Sequence, residues 1–436
     1  MPRIRGCLEY PRRCGLAESL HLGGAQIEQS ELQFDRASGV LCHLTSLPGG
    51  RLGSPAMRFI DWLADAAQRW WQILPLGPPD RSGSPYAARS AFACSPALLA
   101  KPDARVTTSE LDGFLGEHDY WAKGWARYGG RDALENQVRF QREWSRVRAH
   151  ALERNIQILG DMPFYVARNS ADHREHPDLF DDDRAAGVPP DDWSATGQLW
   201  GNPTYNWHAM RQDGFRWWVE RFRRTFELVD AARIDHFRGF VACWSVPYGN
   251  LTAEHGSWRR SPGHELFAAV NAELGQSRLA AENLGVITSP VERLRLELGI
   301  PGTIVLQFVY SDEILNRQRD EPGADNVVYT GTHDNDTTLG WWDSVGASTH
   351  TNVEEALHQA GISEAAPNWK LVRLALAHPA AVSILPVQDL LGLDSSARLN
   401  YPGRSRGNWR WQMRPDMLTS ALAHRLRELT VSSSRA

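Results

Sequence analysis

Apolar residues along this chain gather into short, nearly unbroken runs separated by longer stretches of helical period. The runs are SGVLCHL (38–44), WWQILPLGPP (70–79), IQILGDMPFYV (156–166), ARIDHF (232–237), RLAAENLGV (278–286), TIVLQFVY (303–310), NVVYTGTHDN (326–335) and AVSILPVQDLL (381–391). A strand with one wet face alternates apolar and polar residues. Consecutive apolar positions instead suit strands covered on both faces. Between the runs, RFIDWLADAAQRW (58–70), ENQVRFQREWSRVRAHALERN (135–155), FRWWVERFRRTFELV (215–229) and WKLVRLALAHP (369–379) read as helices. Strand and helix in alternation, with eight strands, predict an α/β fold closed as a parallel (β/α)8 TIM barrel.

The pattern lapses in four places. Gaps near 80–135 and 167–215 are too long for ordinary loops and predict subdomains inserted into the barrel. Residues 1–34 carry Arg, Pro and Gly punctuation without sustained periodicity, so they read as a poorly ordered extension ahead of one catalytic domain over 35–430. The Ser-rich tail, 431–436, is expected to fray. Insertions also account for the length, since 436 residues exceed the ~250 typical of a single barrel.

Composition removes several function classes. A net charge of −5, from 47 basic and 52 acidic residues without a long like-charge run, offers no basic face for nucleic acid. Five scattered cysteines, with no CxxC pair, predict neither a disulfide framework nor a structural zinc site and point to a reducing compartment. No apolar stretch has the ~18 residues of a membrane span, and the N-terminus lacks a secretory core, so the cytoplasm is the expected location. Tryptophan outnumbers both other aromatics, 18 against 14 Phe and 10 Tyr. Most of these rings are expected in the core, the remainder around a ligand with flat apolar faces, as sugars have.

Three carboxylates stand just beyond apolar runs: Asp235 in ARIDHFRGF, Glu282 in LAAENLGVIT and Asp334 in VVYTGTHDND. Catalytic side chains of parallel barrels occupy that position, because the loops leaving the strands' C-terminal ends build the site. Arg233 shares a strand face with Asp235, and a guanidinium beside a carboxylate favours the ionised form that a nucleophile requires. Glu282 follows Leu-Ala-Ala, and low polarity would hold a proton on it, as a general acid needs. Asp334 lies in the polar knot HDND; its neighbour Asp336 reads as a loop cap. A carboxylate nucleophile with a carboxylic acid suits retaining glycosyl chemistry, with a third carboxylate stabilising the transition state. Such chemistry moves protons and sugars but no electrons, so it calls for no cofactor. In HREH, His173 and His176 lack a nearby third ligand and read as polar surface, so no metal is expected.

In order along the chain, SGVLCHLTSLPGG, SPYAARSAFACSPALL, ILGDMPFYVARNSADHREHPDLF, GVPPDDWSATGQLWGNPTYNW, ARIDHFRGF, AAENLGVIT, VVYTGTHDNDTTLGWW and ARLNYPGRSRGNWRW resemble the marker segments of 4-α-glucanotransferases. This is the amylomaltase or disproportionating-enzyme family, glycoside hydrolase family 77, and the likeness runs from about residue 38 to about 430. It implies a retaining transfer of α-1,4-glucan segments to the 4-hydroxyl of glucose or another glucan. Asp235 matches the nucleophile, Glu282 the acid/base and Asp334 the transition-state stabiliser. Arg233 and His333 match flanking site residues, while Tyr86, Gln198, Trp200 and Asn400 match glucan-binding positions.

Two departures qualify the resemblance. Asn283 stands where the family usually has Asp, which removes a charge opposing ionisation of Glu282 and predicts an altered pH dependence. The helical subdomain after SPY is shortened by some tens of residues, which bears on acceptor choice and on the balance of transfer against hydrolysis. Two other readings are an amylase-like hydrolase using the same residues, and a glucan-binding protein whose catalysis has lapsed.

Overall fold

The computed structural model describes residues 34–191, 194–311, 323, 326–404 and 406–436. The expected extension therefore lies outside the described residues except for Phe34, which is buried with its ring 5.4 Å from that of Trp70.

All eight expected strands form: Ala37–Leu41, Trp70–Gln72, Gln157–Met162, Ala231–Ile234, Leu279–Ala281, Gly302–Val305, Asn326–Tyr329 and Val382–Pro386. They make one parallel sheet in the order fifth, fourth, third, second, first, eighth, seventh, sixth. Its two ends, the fifth and sixth strands, meet without a ladder. Among the described residues, one backbone bond, Ala281 N–H to Pro301 O at 2.7 Å, and two bonds involving side chains cross that seam.

Inside the barrel, Ala37, Leu41, Trp70, Leu74, Leu159, Ala231, Ala280, Val305, Val327, Tyr329 and Ile384 form a compact core. Gly39 makes room for the largest of these, since a Cβ there would stand 2.4 Å from that of Trp70. Outside, helices Ser54–Asp65, Ala133–Glu153, Arg216–Leu228 and Pro367–Ala377 cover the sheet close to the predicted spans. Tryptophans 70, 71, 144, 217 and 218 are among the largest fully buried side chains.

Two apolar runs end differently from the expectation. After four or five extended residues, TIVLQFVY turns into helix Leu306–Ser311 and AVSILPVQDLL into helix Val387–Leu390. Consecutive apolar residues mark burial, and burial alone does not separate a strand from the helix that follows it.

Between the second and third strands lie short helices Thr108–Glu117 and Asp119–Tyr128, then a tight turn into Ala133–Glu153. Gly130 at φ +88° and Asp132 at φ +56° reverse the chain there. Between the third and fourth strands, Arg184–Val188 and Gln198–Leu199 join Ala242–Pro247 and Ser257–Arg260 in a four-stranded sheet.

The C-terminus corrects the expectation of a fraying tail. Helix Ser420–Ser432 docks on the barrel, and Arg435 is fully buried at its floor. Its guanidinium donates to the carbonyls of Leu376, Ala37, Ala381 and Ala380 at 2.7–2.9 Å, and to that of His378. Among the described residues, no helix is long and apolar enough to cross a membrane.

Candidate active site

Side chains at alternate positions of a barrel strand point inward, so each strand end contributes its own groups to one rim. Asp161 and Arg233 are in register on the third and fourth strands. Ala281 is in register with Ile234, and the ladder continues past it through Glu282 N–H to Ile234 O at 2.9 Å and Phe237 N–H to Glu282 O at 3.1 Å. Asp235 and Glu282 thus stand opposite one another on strands about 4.8 Å apart.

Arg233 joins the carboxylates. It is buried, and it donates to Asp161 Oδ2 at 2.7 Å and to Asp235 Oδ1 at 3.1 Å. Burial works against its charge, but Asp161 and Asp235 outweigh burial and raise its pKa well above the ordinary value. Asp161 is pushed up to about 7 by burial and by Asp235, against the pull of Arg233 and of the Tyr86 hydroxyl, which donates to it at 2.9 Å.

Glu282 accepts two backbone hydrogen bonds, from His236 N–H at 2.8 Å on Oε2 and from Leu284 N–H at 3.0 Å on Oε1. Burial raises its pKa to about 7; Asp235 adds to the shift, while Arg233 and the two N–H groups oppose it. The carboxyl is therefore poised to gain and lose a proton near neutrality. His236, which aims one of those N–H groups, has a left-handed backbone at φ +54°.

Beyond the seventh strand, Asn335 Oδ1 accepts from the Thr332 N–H and hydroxyl and folds the loop on itself. His333 is buried there with its ring stacked 5.0 Å from Tyr86 at 14°. Burial lowers the pKa of His333, with Asp334 opposing. Asp334 is half-exposed, and its Oδ1 accepts from Asn400 Nδ2 at 2.6 Å and lies 3.3 Å from His333 Nε2. Asp336 caps the loop as expected, accepting from Thr337 N–H and the Ser395 hydroxyl at 2.8 Å.

Gln198 and Trp200 reach the same rim from the outer sheet. The Trp200 indole donates to Gln198 Oε1 at 3.3 Å and stands edge-on to His236, ring centroids 4.9 Å apart. At 39% exposure the ring is partly open to solvent.

Of the residues singled out from the sequence, Arg233, Tyr86, His333, Asp334, Asn400, Trp200 and Gln198 thus belong to one contact network with Asp235 and Glu282. Three further members escaped that reading. Asp161 sits on the third strand in register with Arg233, and the same alternation would have found it. Trp409, at φ +63°, places its ring 5.9 Å from Tyr86 and 5.8 Å from His333, and Arg398 donates to Asp334 O at 2.6 Å. No local pattern announces either of these two. His173 corrects another expectation: it is buried, not surface, with Nε2 2.7 Å from Asp182 Oδ1. Among the described residues, no group of three or more His, Cys, Asp or Glu could hold a metal ion.

The family described as 4-alpha-glucanotransferase, glycoside hydrolase family 77, matches residues 42–126 and 134–419 of this chain. The chain is 36% identical to a 4-alpha-glucanotransferase of Synechocystis over 493 aligned positions, covering 91% of this chain and 97% of the relative. It is 35% identical to one of Thermus thermophilus, covering 93% and 100%. Among solved structures, the amylomaltase of Streptococcus agalactiae in complex with acarbose superposes with a TM-score of 0.85 at 30% identity, covering 92% of this chain and all of that one. Since 91% of 436 residues is about 397, the 493 aligned positions with the Synechocystis protein include about 96 that this chain leaves empty (493 − 397). The family match breaks off at residues 127–133, the tight turn between helices Asp119–Tyr128 and Ala133–Glu153.

Proposed function

Because this chain belongs to the 4-alpha-glucanotransferase family, whose model matches most of its length, we propose a retaining double displacement in which Asp235, Glu282 and Asp334 divide the work. The enzyme is a glycosyltransferase that moves α-1,4-glucan segments. In the first half-reaction an Asp235 oxygen attacks C1 of a bound glucan. The glycosidic bond breaks, and Glu282 delivers its proton to the departing O4. In the second, the 4-hydroxyl of an incoming glucan gives its proton to Glu282 and attacks C1, which frees Asp235. Asp334, fixed by Asn400 and His333, faces the positive charge that gathers on the sugar ring between these states.

One observation carries this reading: the register that places Glu282 beside Asp235, with the pKa of Glu282 raised to about 7. Arg233 and Asp161 hold Asp235 from below, while Tyr86, Trp200 and Trp409 supply ring faces for glucose units. The relatives' names favour transfer over an amylase-like hydrolase or a lapsed enzyme.

Maltotriose tests the proposal. Transfer yields glucose and a ladder of longer glucans, and Asp235→Asn should lower the rate by roughly 10⁴-fold or more. Glucose and maltose alone would mean hydrolysis. Sugar binding without turnover, unchanged in Asp235→Ala, would mean a binding protein.

A further inference from the structure

Asn283 lies next to Glu282 and points the other way, out of the barrel mouth and into the seam between the fifth and sixth strands. Its side-chain oxygen accepts from Thr303 N–H at 2.8 Å, and its nitrogen donates to Glu292 Oε1 at 2.8 Å. The other Glu292 oxygen accepts from Arg295 Nε at 3.0 Å and Nη2 at 2.7 Å, and Arg295 Nη1 donates to Ile300 O at 2.8 Å. Ile300 leads back through Pro301, Gly302 and Thr303 to Asn283. The ring is closed, and each atom in it has one admissible role.

That ring stands where the barrel lacks a ladder, and it carries the turn whose Leu284 N–H reaches Glu282 Oε1. We propose that Asn283 is a positioning residue for the proton-shuttling carboxyl: its amide replaces the missing interstrand bond and holds the Leu284 N–H on Glu282. The inference rests on the acid/base role proposed for Glu282. An amide is specifically required, because one end must accept from a backbone N–H while the other donates to a carboxylate. In Asn283→Asp the second oxygen would meet Glu292 as like charge against like charge. In Glu292→Gln, three donors (Asn283 Nδ2, Arg295 and the new amide nitrogen) would share one acceptor, and no flip of either amide satisfies them all. Combining Asn283→Asp with Glu292→Gln reverses the polarity and completes it. The new carboxylate accepts from Thr303 N–H and from the new amide nitrogen, and the new amide oxygen accepts from Arg295.

The charged and titratable groups around Glu282 and this turn are Arg233 on the fourth strand, Asp235, His236 and Arg238 after it, and Glu292 and Arg295 on the following helix. Burial keeps His236 neutral, at about 3, and Arg238 lies on Val286 O. Burial works against the charge of Glu292, and its bonds from Arg295 and Asn283 hold it below the usual range.

The test is the pH profile of kcat/KM for maltotriose transfer in the full-length enzyme. A weakened Leu284 bond disfavours the ionised form of Glu282, so the basic limb should move up by roughly one pH unit in Asn283→Asp and in Glu292→Gln. It should return in the double variant. The Glu292→Gln arm separates positioning from bare electrostatics, because removing a nearby negative charge would by itself move the limb down. A limb that is unmoved or lowered in Glu292→Gln, or one still displaced in a double variant with the wild-type melting temperature, overturns the inference. Glu282→Gln is run alongside with maltotriose and with maltosyl fluoride, whose leaving group needs no proton. If that variant transfers from maltotriose at the wild-type rate, the role of Glu282 fails first. If it works only on the fluoride while the other limbs stay put, the role of Asn283 alone fails.

Discussion

Single residues here trade stability for chemistry. Glu282 has a folded pKa of about 7, above the ordinary 4.5, so the folded protein binds more protons than the unfolded chain between those values. Stability then falls as pH rises through that window, and the ionised carboxyl is a standing cost above pH 7. Glu282→Gln should therefore melt a few degrees higher than the wild type at pH 8, with the difference fading as pH is lowered towards 4.5; calorimetry across pH checks this. Asp161→Asn keeps an oxygen for the Tyr86 hydroxyl but removes the anion opposite Arg233. Arg233 would then swing towards Asp235, and transfer should fall roughly 10²-fold with the melting temperature little changed. Sequence spacing exposed Asp235, Glu282 and Asp334 because each follows an apolar run. It passed over Asp161, whose run continues beyond it as MPFYV and hides the strand end.

At the scale of elements, burial was legible and its form less so. All eight strands were readable because barrel strands are apolar on both faces. The helical turns at Leu306–Ser311 and Val387–Leu390 were not, since they continue the same apolar composition in another backbone state. The hairpin of Ala242–Pro247 and Ser257–Arg260 escaped notice because the second strand, SWRR, is exposed at every position. The C-terminal element also carries more than its composition suggests. Arg435 gathers carbonyls from the first strand, from Ala381 at the start of the eighth, and from the end of helix Pro367–Ala377. Arg435→Met would leave buried acceptors empty, and it should lower stability by about 3 kcal/mol in denaturant titrations without changing KM for maltotriose.

For the whole molecule, the informative feature is the turn that joins helices Asp119–Tyr128 and Ala133–Glu153, where the family match is interrupted. A smaller insertion offers less surface to hold an acceptor, and a transferase outcompetes water by holding its acceptor in place. Hydrolysis should therefore take a larger share of turnovers here than in the Thermus thermophilus relative. Free reducing ends released per transfer event measure it.

The seam between the fifth and sixth strands has a consequence for inheritance. Seven of the eight junctions in this barrel are written in backbone ladders, which tolerate most changes of residue. The eighth depends on the identities of Asn283, Glu292, Arg295 and Thr303. Point mutation can thus retune the barrel most readily at one joint, and that joint lies against Glu282, the carboxyl proposed to move the proton. Natural variation there would let descendants of one scaffold drift in working pH while Asp235, the aromatic rings at the rim and the fold stayed the same.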